Sequence, residues 1–190
     1  MRGPLFYISV TLIIFSLLHL SCAPKSTSVD PSEIAIPVAI EGKENLFHAG
    51  RFYFGGQPDE EMLHWLAGEN VKAVINLRTD SEMETHEKEK FDEDSLVTDL
   101  GMTYLHFPMG GKVGYSTQVV DTFAQTLDTL NVNTFIHCKV GGRVSYLWVA
   151  YLIRHKNVAI DDAIDIGKKM KFSFALEDLV GFPFSMRKKE

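Results

Sequence analysis

Hydrophobic residues beyond about position 40 form short runs separated by longer stretches in which apolar and polar positions alternate at helical spacing. Residues 73–77 (Ala-Val-Ile-Asn-Leu) and 134–137 (Thr-Phe-Ile-His) are β-branched or aromatic runs that follow polar turns. Residues 102–107 form a third such run. Short runs of this composition predict buried strands.

The stretches around these runs have the pattern of helices. Apolar residues recur at intervals of three and four between positions 120 and 130, which predicts an amphipathic helix opened by Ser116 or Thr117. Residues 59–68 predict a second helix, and residues 144–155, apolar nearly all round, predict a buried one. Strands that alternate with helices predict an α/β fold, with a mostly parallel central sheet flanked by helices on both faces.

One acidic stretch interrupts this pattern. Residues 80–99 hold nine of the chain's 25 acidic residues. A charge run of this kind is usually a solvated face, so we expect a solvent-exposed helical excursion here.

Composition narrows the class of function. The chain has 190 residues, 45% of them hydrophobic, and a formal charge of −6, which fits a globular domain and excludes a disordered one. The acidic balance argues against a nucleic-acid partner, since such binding depends on clustered Lys and Arg. No two of the seven histidines lie four apart, and the only cysteines are Cys22 and Cys138. We therefore expect neither a disulfide framework nor a bound metal, and no cofactor.

The N-terminus has the pattern of an export signal. Residues 5–18 are uncharged and mostly apolar, and they lead to Cys22, which follows the small residue Ser21. A bacterial lipoprotein signal would place its acylated cysteine here. We expect a signal segment over residues 1–21, a Ser-, Thr- and Pro-containing tether over residues 22–39, and one domain over residues 40–190. A cleaved signal without lipid and an uncleaved membrane anchor are the alternatives. All three put the domain outside the cytoplasm, and the preferred one makes it a periplasmic lipoprotein held at the membrane.

The segment that follows the run at 134–137 carries the strongest chemical signal. Cys138 stands where a buried strand ends and a helix begins, followed by Lys139, Val140, Gly141, Gly142 and Arg143. Backbone N–H groups in such a turn can surround an anion, and the helix dipole favours negative charge at the same point. Cysteines in such positions are often ionised at neutral pH. Cys138 is therefore a candidate nucleophile, Arg143 a candidate bidentate phosphate ligand, and the intervening residues a candidate phosphate-binding loop.

This loop resembles that of the cysteine-dependent phosphatases of the dual-specificity and tyrosine-phosphatase superfamily. Four blocks in order carry the resemblance: residues 55–58 (Gly-Gly-Gln-Pro), 74–78 (Val-Ile-Asn-Leu-Arg), 101–108 and 137–145. The combination is similar to a bacterial phosphatase-like family related to the N-terminal domain of β-lactamase-hydrolase-like proteins. The resemblance implies a protein-tyrosine-phosphatase-like fold, a cysteinyl-phosphate intermediate and a phosphorylated protein or small molecule as substrate.

Two features depart from the superfamily pattern. Four residues separate Cys138 from Arg143 instead of the usual five, and Val144 replaces the hydroxyl residue that usually follows the arginine, with Ser145 one position late. In addition, residues 108–118 contain no Asp or Glu, although the superfamily usually takes its general acid from this loop.

Other side chains are candidates for the missing acid. Asp80, Glu82 and Glu84 follow a strand whose carboxyl end should lie at the same edge of the sheet as Cys138. His106 is a further candidate. A positioned acid typically contributes about 10² to 10⁴-fold to rate, so its absence would slow alkyl phosphates most.

Two other functions fit the same loop. Its length also occurs in rhodanese-like sulfurtransferases, in which the cysteine carries a persulfide. The missing acid instead favours a catalytically weak phosphate-binding module. The sequence ranks phosphate-monoester hydrolysis first and these two as alternatives.

Overall fold

The computed structural model describes residues 34, 36–110, 114–170 and 176–181. The strands are β1 (Val38–Ala39), β2 (Leu46–Ala49), β3 (Phe52–Gly55), β4 (Ala73–Asn76), β5 (Thr103–His106) and β6 (Thr134–His137). The helices are α1 (Glu60–Gly68), α2 (Asp80–Glu89), α3 (Glu93–Asp99), α4 (Thr117–Leu130), α5 (Gly142–His155), α6 (Ile160–Lys168) and α7 (Glu177–Val180).

The strands form one mostly parallel sheet in the order β1-β2-β3-β6-β4-β5. The strands β3, β6, β4 and β5 run parallel, while β1 and β2 add an antiparallel edge. The strand β6 lies in the middle of the sheet, between β3 and β4, and is buried along its length. Its carboxyl end therefore opens at the centre of the sheet edge, where ligands bind in open α/β sheets.

Both faces of the sheet are covered, as the sequence predicts. Successive residues of a strand point to opposite faces, so Ile136 of β6 joins one apolar cluster and its neighbour Phe135 joins the other. The first cluster includes residues of α4, α5 and α6, and the second includes residues of α1 and α3. The helix α5 is buried on nearly all sides, with Trp148 packed against Phe52 and Phe54 at ring distances of 4.8 Å.

The predicted helix ends are confirmed where capping residues define them. Ser116 precedes α4, and its hydroxyl accepts from the backbone N–H of Val119 at 3.4 Å. Asp59 caps α1 by accepting from the backbone N–H of Met62 at 2.8 Å. Such side chains replace hydrogen bonds that the first turn of a helix lacks.

Three features differ from the sequence-based expectations. The strands β2 and β3, which form a hairpin around Gly50 and Arg51, were not predicted. The strand β1 lies inside the range expected to be a tether, so the sheet begins two residues before the expected domain start. The acidic stretch at 80–99 is two helices, and Glu93 within it is fully buried, which corrects the expectation of a uniformly solvated excursion.

The predicted signal at residues 1–21, including its apolar run, and Cys22 lie outside the described residues. Within the described ranges, no helix is long and apolar enough to cross a membrane.

Candidate active site

The turn from β6 into α5, residues 138–143, is here called the nucleophile loop. Cys138 is buried, and the backbone N–H of Gly141 donates to its Sγ at 3.2 Å. Gly141 has a φ of +86°, a left-handed conformation that a residue with a Cβ adopts only at a cost. This turn brings the start of α5 directly over the cysteine, so the helix dipole favours a negative charge there.

The loop has several free backbone donors. No described residue accepts from the backbone N–H groups of Lys139, Val140, Gly142 and Arg143. Unpaired N–H groups at the start of a helix form a ready-made anion site. The predicted phosphate-binding residues are thus contiguous and have donors available for a tetrahedral oxyanion.

The outer side of the loop is held by the segment around β2 and β3. The backbone N–H of Gln57 donates to the carbonyl of Lys139 at 3.2 Å, and Asn45 Nδ2 donates to the carbonyl of Val140 at 3.3 Å. Gly56 is needed for this approach, because a Cβ there would lie 2.5 Å from Asn45 Nδ2. With both carbonyls held on the outside, the N–H groups of the loop are free to face an anion.

Arg143 is fixed by four hydrogen bonds. Its Nη1 donates to the carbonyls of Leu77 and Met109 at 3.2 and 3.1 Å and to Glu82 Oε2 at 2.7 Å, and its Nη2 donates to Glu82 Oε1 at 2.7 Å. These contacts use both Nη1 hydrogens and one of the two on Nη2. The remaining Nη2–H and Nε–H lie on one edge of the guanidinium, the edge that can bind two phosphate oxygens.

Glu82 is the partner that orients Arg143. As the third residue of α2, it also accepts from the backbone N–H and hydroxyl of Thr79 at 2.9 and 3.1 Å. Hydrogen bonds from Arg143, supported by Thr79, lower the pKa of Glu82 to about 2, although burial acts in the opposite direction. A carboxylate with so low a pKa is ionised at neutral pH. Its two hydrogen bonds to the guanidinium favour a role in orienting Arg143 over the expected role as an acid.

Asp80, the other expected acid, lies at the surface. Its side chain is 82% exposed, and its nearest described partner is His106, with Asp80 Oδ1 3.7 Å from His106 Nδ1. His106 in turn donates through Nε2 to the carbonyl of Arg78 at 2.8 Å. Neither side chain has a described contact with Cys138 or Arg143.

The hydroxyl that sequence comparison places one position late also has another partner. Ser145 Oγ donates to the carbonyl of Gly142 at 2.8 Å, within the first turn of α5. Its hydroxyl is thus engaged with its own helix.

Three residues at or behind the nucleophile loop were not predicted as site residues: Asn45 and Gln57, which hold its carbonyls, and Glu93, which is hydrogen-bonded to Gln57 and His137. Gln57 was visible only as part of a motif. Glu93 had a usable signal, since it lies four residues before the buried Val97 and so shares the inner face of α3. Asn45 had none, because it lies in a turn before an unpredicted strand.

The described residues contain no group of three or more His, Cys, Asp or Glu side chains placed to hold a metal ion.

Comparison with known proteins identifies this arrangement. The family model described as "DSP-PTPase phosphatase fused to NAD+ Kinase" matches residues 30–175, more than half of the chain. The chain belongs to this family. Membership confirms the resemblance to dual-specificity phosphatases and places the nucleophile loop inside the matched region. No curated protein gives a significant match over the chain.

Solved structures agree with this phosphatase family. A DUF442 protein of Shewanella putrefaciens CN-32 is 27% identical with a TM-score of 0.52, over 65% of this chain and 81% of that chain. TpbA of P. aeruginosa, a serine variant in complex with pTyr, is 16% identical with a TM-score of 0.58, over 78% of this chain and 88% of its own. The active form of Tk-PTP is 21% identical with a TM-score of 0.54, over 67% and 85%. The predicted phosphatase-like α/β fold is confirmed.

Proposed function

We propose that the protein is a phosphate-monoester hydrolase that works through a cysteinyl-phosphate intermediate. The observation that carries this proposal is the pairing of Cys138 Sγ, in contact with the N–H of Gly141, with an Arg143 whose free edge is oriented by Glu82. Phosphoryl transfer requires a protein to supply a nucleophile, a set of free N–H donors and an oriented guanidinium.

The reaction proceeds in two displacements. The Cys138 thiolate attacks phosphorus, an S–P bond forms, and the ester P–O bond breaks as its electron pair leaves with the alcohol oxygen. Water then attacks phosphorus, the S–P bond breaks, and inorganic phosphate and the thiolate are released. Loop N–H groups and Arg143 stabilise the charge on the equatorial oxygens in both steps.

Among the described residues, no side chain is evidently placed to donate a proton in the first displacement. Glu82 is engaged with Arg143, which holds its pKa low, and Asp80 is exposed and has no described contact with the loop. The leaving oxygen then departs with most of its charge and takes its proton from water. We therefore expect esters of acidic alcohols, aryl phosphates above all, to be the better substrates.

The substrate class follows from the same chemistry. We infer a phosphorylated protein or small molecule that carries a phosphate monoester. The pTyr complex of TpbA supports a phosphorylated aromatic group as one such ligand.

Steady-state turnover of an aryl phosphate by the wild type, Cys138→Ser and Arg143→Lys tests the proposal. The serine variant lacks an ionised nucleophile and the lysine variant lacks the planar fork, so both should be nearly inactive. Unchanged turnover in Cys138→Ser would eliminate the mechanism.

Two further outcomes define the alternatives. Turnover of thiosulfate with cyanide, and none of phosphate esters, would establish the sulfurtransferase. Tight binding of an oxyanion with no turnover of either would establish the phosphate-binding module.

We also propose that the domain works outside the cytoplasm, as a periplasmic lipoprotein. The apolar run at residues 5–18 and Cys22 after Ser21 support this location.

A further inference from the structure

A partly buried network of hydrogen bonds links the two ends of the nucleophile loop, and it runs through residues to which the reaction itself assigns no role. Its members are Glu93, Gln57 and Arg78. Gln57 and Arg78 belong to the two motifs that come before the cysteine in the sequence, Gly-Gly-Gln-Pro and Val-Ile-Asn-Leu-Arg.

The hydrogen-bond network starts at His137, the residue just before the nucleophile. His137 Nε2 donates to Glu93 Oε1 at 2.7 Å, and neither side chain has any solvent exposure. The side chain of His137 lies on the opposite face of β6 from that of Cys138, stacked on the ring of Phe135 at 5.2 Å. Glu93 thus holds the end of β6 from behind the nucleophile.

Gln57 connects Glu93 to the loop and to a buried arginine. Its Nε2 donates to Glu93 Oε2 at 2.6 Å, and its Oε1 accepts from Arg78 Nη1 at 2.6 Å. Its backbone N–H is the group that donates to the carbonyl of Lys139. One residue therefore contacts the loop through its backbone and the buried charges through its side chain.

Arg78 extends the hydrogen-bond network to the other end of the nucleophile loop. Its Nη2 donates to the carbonyl of Glu82 at 3.0 Å, and its Nε lies 3.9 Å from Glu82 Oε1. The carboxylate of Glu82 in turn holds Arg143. The sequence of contacts from His137 through Glu93, Gln57, Arg78 and Glu82 to Arg143 is continuous.

The charge on Glu93 is unusual for a position without solvent. Burial alone would raise the pKa of Glu93, but His137 and Gln57 outweigh it and hold the pKa below the ordinary value. A buried ionised group is seldom a net gain in stability over an apolar one, so its presence beside a reactive loop points to a role in positioning.

The donors around Glu93 explain why a carboxylate is needed. Both Gln57 and His137 present an N–H, and only a carboxylate has an acceptor oxygen for each. A glutamine at position 93 would turn an N–H₂ group toward one of them. The orientation of Gln57, and with it that of Arg78, depends on this pair of acceptors.

We propose that Glu93, acting through Gln57, is the positioning residue that preorganises the nucleophile loop to receive a tetrahedral oxyanion. The inference deepens the proposed phosphatase function and rests on it for its biological meaning. Its physical content is the affinity of the loop for an oxyanion, which exists with or without turnover.

The test is the affinity of the full chain for tungstate, a tetrahedral oxyanion, measured by titration calorimetry for the wild type and Glu93→Gln. Asp94→Asn is the matched control, because Asp94 is an exposed neighbour on the same helix and carries the same charge. Removal of a negative charge alone would tighten anion binding slightly. Weaker binding by Glu93→Gln is therefore a readout that long-range electrostatics cannot produce.

We expect Glu93→Gln to weaken tungstate binding by roughly 10- to 100-fold, by analogy with the loss seen when residues that orient metal ligands from behind are replaced. We expect Asp94→Asn to stay within about twofold of the wild type, as a surface charge should. Affinity of Glu93→Gln within twofold of the wild type, or tighter, would overturn the proposal.

A second variant covers the case in which Glu93→Gln fails to fold, as judged by its thermal transition. Gln57→Leu removes the side-chain links and keeps the backbone bond to Lys139. It should weaken tungstate binding in the same range. The variant that combines Glu93→Gln with Gln57→Leu should lose no more affinity than the weaker-binding single variant, because both substitutions act through the same hydrogen-bond network. Wild-type affinity in a folded Gln57→Leu would overturn the proposal.

The experiment separates this inference from the function. If the wild type binds tungstate but hydrolyses no ester, the proposed hydrolase activity is refuted. The tungstate affinities of the variants then still decide the role of Glu93. A wild type that binds no tungstate refutes the inference directly.

Discussion

Replacing Glu82 by Gln tests how Arg143 is oriented. The substitution keeps the shape of the side chain and removes the charge that two 2.7 Å hydrogen bonds join to the guanidinium. Arg143 Nη1 keeps the carbonyls of Leu77 and Met109, but Nη2 loses its partner. The guanidinium is then free to turn its phosphate-binding edge away from the loop.

The size of the effect follows from the pKa of Glu82. A decrease from 4.5 to about 2 corresponds to ~3.5 kcal/mol of interaction with its partners, at about 1.4 kcal/mol for each unit of pKa. The side chain is 26% exposed, and solvent screening reduces the coupling to about 1–3 kcal/mol. If this coupling orients Arg143 in the transition state, kcat/KM falls by roughly 5- to 150-fold.

The assay is kcat/KM for an aryl phosphate, with Glu87→Gln as the matched control. Glu87 is exposed on the same helix, and the control removes the same charge. Wild-type kcat/KM in a folded Glu82→Gln, or an equal loss in both variants, would refute the positioning role.

The same ion pair predicts a pH dependence of stability. Because the pKa of Glu82 is lower in the folded state, its contribution is fully present above about 4.5 and is lost as the pH falls toward 2. The difference in Tm between the wild type and Glu82→Gln should therefore shrink over that interval. A difference that stays constant down to pH 2 would contradict the ionised pair.

Three further predictions concern other parts of the chain. Gly141→Ala should lower the free energy of unfolding by about 1–2 kcal/mol because of its positive φ, whereas Gly142→Ala, whose Cβ would meet no atom within 4 Å, should not; equal denaturation midpoints would contradict this. Across a series of aryl phosphates, kcat/KM should depend steeply on leaving-group pKa and Asp80→Asn should not alter the slope; a shallow slope that this variant steepens would make Asp80 the acid. Mass spectrometry of the chain from a bacterial host should find an acylated Cys22 at the N-terminus; an intact Met1 would indicate an anchor.

The elements that the sequence predicted are those with a strong period or composition. The buried strands β4 and β6 are dense in β-branched and aromatic residues, and α4 has a regular apolar face. The strands β2 and β3 are as long as β4 and β6 but were missed. Neither contains a β-branched residue, β2 is interrupted by His48, and β3 ends at Gly55, so their composition is less typical of a strand.

The site, like the fold, has a part that the sequence predicts and a part that it does not. Cys138 and Arg143 are close in sequence and their chemistry is local, so the loop could be recognised directly. The roles of Glu82 and Glu93 depend on contacts with residues 61 and 44 positions away. Charge patterning treats both carboxylates as part of a solvated run, because it contains no information on which helix face packs against the sheet.

Direct detection of phosphocysteine at Cys138 tests the central claim. The full chain is mixed with an aryl phosphate, quenched in acid within the first turnovers and digested, and the peptide that contains Cys138 is examined by mass spectrometry. We predict a phosphoryl group on Cys138 in the wild type and none on that peptide in Cys138→Ser. Hydrolysis that proceeds with an unmodified Cys138 at every quench time, and persists in Cys138→Ser, would contradict the account.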